Sequence, residues 1–432
     1  MGASQIPEER YDVAVIGAGA AGLAAAAELA AAGRSVLLLE ARERIGGRCW
    51  TLREPGLAAP IELGAEFIHG EARVTRALMR KAGMTALDSG RIQRHLDAGR
   101  LKPIDGFAEA KKAVEGISMA KDLSFAAFLR GRKISKKTKT MANLMVEGFD
   151  AADPRLASAR AIAEEWGGAE MGASQPRPLG GYGTLLGWLA GSLGPRVRLR
   201  LQAVVQRVEW KPRSVAIEGQ FLGRRFRVRA RSAIVTVPIG VLQARTIRFD
   251  PPLRAKRDAL RKLASGPVVK VALEFDAPFW EERYPETGFF HSPGAPVPTF
   301  WTQLPRHAPF LIGWSGGPKA DALYGRSSEA VARQALGVLE RLFGKRARVE
   351  SGLQRFRVQD WRADPFARGA YSYVKVGGAG ARESLAATLG GTLFFAGEAT
   401  DVEQSGTVAG ALESGRRAAR EALAHAESRR RR

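Results

Sequence analysis

Cysteine is almost missing from this chain: Cys49 is the only one in 432 residues. No intramolecular disulfide can form, and no thiolate metal cluster can assemble. The five histidines, His69, His95, His291, His307 and His425, are scattered, with no pair at metal-ligand spacing. Metal chemistry is therefore not expected. No apolar run reaches the roughly 18 residues that a membrane span requires. The Ala-rich stretch at 20–32 is short and contains Glu28. Residues 1–10 are polar, without an apolar signal core or a twin arginine, so a cytoplasmic location and no membrane contact are expected. Internal repeats and long low-complexity linkers are also lacking. Acid is in deficit: 44 Asp plus Glu against 67 Lys plus Arg leaves +23. The excess gathers at Arg130–Lys139, Arg254–Lys262 and Arg429–Arg432. A field of this sign attracts polyanions. Aromatics do not alternate with the basic residues as in single-strand binders, so the excess reads as a solvated surface rather than a nucleic-acid site.

Residues 12–48 carry the strongest positive signal. Val13–Ile16 form an apolar run suited to a buried parallel strand. Gly17, Gly19 and Gly22 then complete a G-x-G-x-x-G turn that opens a helix of Leu and Ala, including Ala20 and Ala21. Glycines let the backbone approach a pyrophosphate, and a helix N-terminus offers unpaired N–H groups to its charge. Glu40 ends the next strand, where a carboxylate can bind adenosine ribose hydroxyls. Ala41 and Arg42 follow, and Gly46, Gly47 and Arg48 provide a second close backbone approach with a guanidinium suited to phosphate. This turn resembles the Gly-Gly-Arg turn of FAD enzymes with a glutathione-reductase-like nucleotide domain.

The chain is expected to leave this domain and return to it. Residues 71–178 read mainly helical, with apolar spacing of three to four in Val74–Lys81, Leu123–Leu129 and Met141–Phe149. Strand-like segments follow at Val197–Trp210, Val215–Gln220 and Arg225–Val237. Val268–Phe275 alternates as a strand, residues 285–318 suggest loops and strands around a cavity, and 327–343 suggests a helix. Leu393–Ala396 returns to a strand, with a helix from about Thr407. The expected division is a nucleotide domain of 1–70, 179–265 and 385–432 and a second domain of 71–178 and 266–384, with the site between them.

Further segments are similar, in order, to the flavin amine oxidase family of monoamine oxidases, polyamine oxidases and lysine-specific histone demethylases. They are Leu63–Gly70, Ala233–Leu242 with Phe249-Asp250-Pro251-Pro252, Asp364–Tyr373 and Phe394–Thr400. The fold implied is α/β plus α+β: a glutathione-reductase-like FAD-binding domain on a Rossmann βαβ unit, with a discontinuous amine-oxidase substrate domain. The activity implied is oxidation of an amine C–N bond to an imine, with electrons passing to FAD and then to O₂, and with a monoamine or polyamine as substrate. An amino-acid oxidase and a desaturase or protoporphyrinogen-oxidase-like enzyme stay open. So does a flavoprotein that uses its basic face on anionic partners.

The resemblance also assigns residues. Lys270, mid-strand, corresponds to the lysine that holds a water against flavin N5. Trp361 and Tyr371 correspond to aromatics beside the flavin, and Thr407 stands where monoamine oxidases carry a second cage tyrosine. His69 points toward the polyamine branch. Ala370 replaces the cysteine that bonds flavin in mammalian-type monoamine oxidases, so FAD should be non-covalent. Cofactor contacts are further expected from Gly64, Ala65, Glu66, Phe67, Val205, Val237, Gly397, Glu398, Thr407 and Val408. Glu66, Glu164 and Glu165 are candidates for a polyamine's secondary ammonium groups. Oligomeric state is not readable.

Overall fold

The computed structural model describes residues 9–57, 59–116, 121–167 and 175–427. The arginine run at 429–432 lies outside the described residues, as do residues 1–8. Glu9–Ile16 is the first strand, and its last four residues are buried. It pairs in parallel with Val36–Leu39 on one side and with Arg224–Val235 on the other. The helix Ala20–Ala31 joins the first two strands, as a βαβ crossover must. The sheet has eight strands and continues from Val36–Leu39 to Val197–Arg200. From Arg224–Val235 it continues through Ser214–Phe221 and Ala203–Lys211 to Arg248–Asp250. Leu393–Phe395 also pairs with the end of Arg224–Val235, so three distant stretches of chain build one sheet. The closing helix Val408–Glu427 lies against the first helix, sharing a core of Leu23, Leu29, Leu412 and Ala418.

The second sheet has seven strands, in the order Leu353–Asp360, Val268–Phe275, Phe310–Gly316, Thr299–Trp301, Thr287–His291, Ile92–Asp97 and Arg100–Ile104. The helix Ser328–Phe343 covers one face. Alternation along Val268–Phe275 sends Val269, Val271 and Leu273 into that helix-covered core. Lys270 and Ala272 then face the other way, and Ala272 packs with Ile61 and Leu63. All eight residues of this strand are buried, so Lys270 occupies an interior strand and not an edge.

Two expectations need correction. Residues 71–178 are not mainly helical throughout, since Ile92–Asp97 and Arg100–Ile104 form a hairpin at the edge of the second sheet. Its turn residues Ala98 and Gly99 both have positive φ (48° and 77°), the conformation of a tight hairpin turn. The expected strand Val197–Trp210 is two strands, broken at Gln202, which has φ 56°. Among the described residues no helix is long and apolar enough to cross a membrane, and no cluster of three His, Cys, Asp or Glu is placed to hold a metal.

Candidate active site

A continuous cavity of about 1120 Å³ runs from the G-x-G-x-x-G turn to the second sheet. That exceeds the roughly 300–1,000 Å³ of a site for one drug-sized ligand. Gly17, Gly19, Ala20 and Ala21 line its first end. The helix Ala20–Ala31 starts there with Gly19 as its cap, no side-chain acceptor and no acid in its first turn. Its free N–H groups are thus left for an anion. Gly22 does not line the cavity. A Cβ there would stand 1.8 Å from the Gly17 carbonyl oxygen, so this glycine closes the turn by packing.

Glu40 is buried beside the turn and accepts from the backbone N–H groups of Ala18 and Arg42, both at 2.9 Å. Arg42 pairs with Asp364 at 2.6 Å. The 46–48 turn meets the first one directly: the Gly46 N–H donates to the Ala18 carbonyl at 2.9 Å. Arg48 donates to the Ala370 carbonyl and to Glu398 at 2.9 Å. Glu398 also accepts from the Ser372 N–H (3.2 Å) and hydroxyl (2.7 Å). Burial would raise the Glu398 carboxyl, but the Arg48 and Arg382 guanidiniums hold it below the usual range. Ala41, Val205, Val237, Gly397 and Val408 line the same wall. The closing helix begins at Val408, so a second helix N-terminus meets the cavity. A glycine cradle, two helix N-termini, a ribose-type carboxylate and two arginines fit a dinucleotide.

Lys270 is fully buried, its Nζ donating to Glu66 at 2.7 Å and to the Gly64 carbonyl at 3.1 Å. Ala65 and Phe67, on the same loop, also line the cavity. Trp361 donates its indole N–H to the Leu63 carbonyl at 3.0 Å. Tyr371 donates to the Phe149 carbonyl at 2.6 Å. Its ring lies by Gly406, where a Cβ would stand 3.6 Å from Tyr371 Cδ2. Burial pushes the Tyr371 phenol well up, so it stays neutral. Thr407 reaches the cavity, but its hydroxyl donates to the Gln404 carbonyl (2.7 Å) and accepts from the Gly410 N–H (3.0 Å). His69 lies edge-on to Phe149, at 5.4 Å between ring centres, and burial lowers its imidazole to about 4.

Glu66 is not free for a substrate ammonium, because Lys270, Arg177 (2.8 Å) and the Trp301 indole N–H (2.9 Å) occupy its carboxylate. Sequence reasoning missed Asp150. It is 5% exposed, lines the cavity, and accepts the Trp166 indole N–H at 3.2 Å through one oxygen. Its other oxygen has no partner. Burial and the like charge of Glu165 push Asp150 well above the usual range. Glu165 is exposed on its side of the cavity, and desolvation by the surrounding wall raises its carboxyl only against the opposing charge of Arg382. Glu164 is exposed and lines the cavity.

Together these features define a protein with a dinucleotide cradle that continues into an aromatic and acidic chamber. The chain belongs to the flavin containing amine oxidoreductase family, whose profile matches residues 20–423. It is 31% identical to lysine-specific histone demethylase 1 homolog 2 of Oryza sativa subsp. japonica, over 96% of this chain and 57% of that protein. The chain thus spans little more than half the length of that relative. It is 29% identical to probable polyamine oxidase 4 of Arabidopsis thaliana, over 93% of this chain and 85% of the relative. The fold matches putrescine oxidase bound to putrescine, with a TM-score of 0.82 and 24% identity over 97% of this chain and 100% of that one. It also matches cyclohexylamine oxidase from Brevibacterium oxydans IH-35A, with a TM-score of 0.80 and 24% identity over 97% and 99% of the two chains. FAD, the flavin whose dinucleotide form suits this cradle, is accordingly its cofactor, and Ala370 offers it no thiol.

Proposed function

We propose that this protein is an FAD-dependent amine oxidase whose preferred substrate carries a second cationic nitrogen, a diamine or polyamine. The observation that carries the reading is the orphaned, buried carboxylate oxygen of Asp150, a residue of the cavity wall that also holds Glu165, Lys270 and Tyr371. A buried acid with an empty lone pair calls for a cation or a proton. With a monoamine only a proton would meet that need, whereas a second ammonium would meet it with a charge pair. The relative named as a polyamine oxidase and the neighbour named as a putrescine oxidase support the same substrate class.

The chain's own groups would divide the work. Glu40 would take ribose hydroxyls, the first helix N-terminus and Arg48 would meet phosphate charge, and Glu398 would accept from the polyol chain. Bound FAD would supply a two-electron acceptor that O₂ reoxidises, so amine, O₂ and water give a carbonyl, the released amine and H₂O₂. Trp361 and Tyr371 form π walls that orient the reacting amine. The Tyr371 proton is committed to the Phe149 carbonyl, so the phenol positions substrate and does not act as a base. His69 is neutral and adds no cation to repel the substrate. Asp150 and Glu165 fix the far ammonium, which sets the depth at which the near amine stops.

The test is anaerobic bleaching of the purified yellow protein by 1,4-diaminobutane, spermine, 1-aminobutane, benzylamine and an α-amino acid. The diamine or polyamine should bleach fastest. Faster bleaching by the monoamines or the amino acid would refute the substrate assignment, and no bleaching by any of them would refute the oxidase.

A further inference from the structure

The Lys270–Glu66 contact raises an electrostatic problem. A carboxylate 2.7 Å from an ammonium largely cancels its field, so the pair alone would present little charge to the cavity. The structure supplies a third partner. Lys270 uses Glu66 Oε2, and Glu66 Oε1 accepts from Arg177 Nε at 2.8 Å and from Trp301 Nε1 at 2.9 Å. Glu66 and Lys270 are cavity residues, whereas Arg177 stands behind the carboxylate and is not part of the lining. Its remaining nitrogens donate to the Thr302 and Leu304 carbonyls, both at 2.9 Å, and its guanidinium lies 4.7 Å from the Phe67 ring centre. Every arm of Arg177 is thus fixed. Burial would raise the Glu66 carboxyl, but Lys270 and Arg177 hold it below the usual range.

We propose that Arg177 is a positioning residue that sets the charge of the Lys270 site. By neutralising Glu66 from behind, it leaves one net positive charge among these three residues, held by the buried Lys270 at the cavity wall. This inference rests on the reading of the cavity as a flavin site. A fixed positive charge in its wall favours the more negative, reduced form of the bound cofactor.

The signs of three variants follow. Arg177→Gln leaves Lys270 and Glu66 to cancel, so bound FAD becomes harder to reduce. Glu66→Gln leaves two cations, so it becomes easier to reduce. Arg177→Lys restores the charge and returns the potential toward the wild-type value. Each unit of charge should move the two-electron equilibrium by about tenfold, ~30 mV. The experiment is dye-equilibrated chemical reduction of the FAD-loaded proteins, which needs no amine turnover.

Opposite shifts in Arg177→Gln and Glu66→Gln support the proposal. Equal shifts, or shifts of one sign in both, overturn it, because a role in packing alone carries no sign. If Arg177→Gln fails to hold FAD, Glu66→Gln decides alone: its potential must rise. Opposite shifts in a protein that no amine bleaches would retain this inference and refute the oxidase. Amine bleaching with like-signed shifts would do the reverse. A wild-type chain that takes up no FAD overturns both.

Discussion

At the scale of single residues, the buried acids separate by where each one stands. Asp150 stands in the cavity wall with one buried oxygen unpartnered, so Asp150→Asn should remove the second-ammonium preference and leave monoamine oxidation nearly unchanged. The ratio of kcat/KM for 1,4-diaminobutane to that for 1-aminobutane should fall at least about tenfold, ~1.4 kcal/mol. In the wild type this ratio should rise with pH, since the raised Asp150 and Glu165 carboxyls must lose their protons before they can pair. Taking the ratio removes the titration of the reacting amine, common to both substrates; a ratio flat with pH would refute the acid-pair assignment. Glu62 is not part of the cavity lining: one oxygen takes the Thr51 hydroxyl (2.8 Å) and the Tyr182 N–H (2.6 Å), the other is likewise unpartnered, and burial raises its pKa to about 7. A raised carboxyl contributes stability that is complete below its unfolded value and drains away as pH rises through about 7. Glu62→Gln should therefore gain on the wild type by up to about 3 kcal/mol between pH 4 and pH 8. Parallel unfolding curves at the two ends of that range would exclude this. The legible half of the site is the one whose residues are neighbours in the chain, from Gly17 to Arg48. Asp150, Arg177 and Trp301 carry no local signature, because their chemistry arises from partners that only the tertiary fold brings near. Glu66 is legible as a site residue, but its ion pair is not, since Lys270 lies 204 residues away.

At the scale of elements, the cofactor end depends on two helices meeting at backbone distance. A Cβ on Gly415 of the closing helix would stand 2.1 Å from the Ala21 carbonyl oxygen of the first helix. Gly415→Ala must push apart two elements whose N-termini both meet the cavity, at a cost of about 1–3 kcal/mol. It should lower the melting temperature and increase FAD loss on dilution. Gly337, in the helix Ser328–Phe343, has open space where a Cβ would go. Gly337→Ala should instead stabilise by up to about 1 kcal/mol and leave FAD retention unchanged. If the two variants shifted stability alike, the close crossing would not be what holds the cofactor end. Elements with a strong period were readable: Val74–Lys81 is within the helix Arg73–Lys81, and 327–343 is the helix Ser328–Phe343. The hairpin at Ile92–Ile104 was not, because it is a sheet-edge pair with much exposed surface and hence little apolar alternation. Its signal was the Ala98-Gly99 turn, two residues long.

At the scale of the whole molecule, net charge was readable from composition, but its distribution was not. The +23 argues against attraction of a polycation, yet carboxylates outnumber cationic side chains along the cavity wall, with Asp122, Glu164, Glu383 and Glu403 among them. The two effects act over different lengths. Repulsion by the whole surface is felt over the Debye length, ~30 Å at 0.01 M salt and ~8 Å at 0.15 M, whereas attraction in the cavity works at contact distance. At low salt the long-range term opposes encounter in proportion to the substrate's charge. Raising salt from about 0.01 M to about 0.15 M should therefore increase kcat/KM for a dication by several-fold, with contact pairing in the cavity little screened. The Boltzmann factor is exponential in charge, so the gain for 1,4-diaminobutane should approach the square of the gain for 1-aminobutane. Stopped-flow bleaching across a salt series reads both slopes. A steady fall for the diamine over that range would mean that the acidic wall governs approach even at a distance, and that the basic exterior has no bearing on which amine arrives.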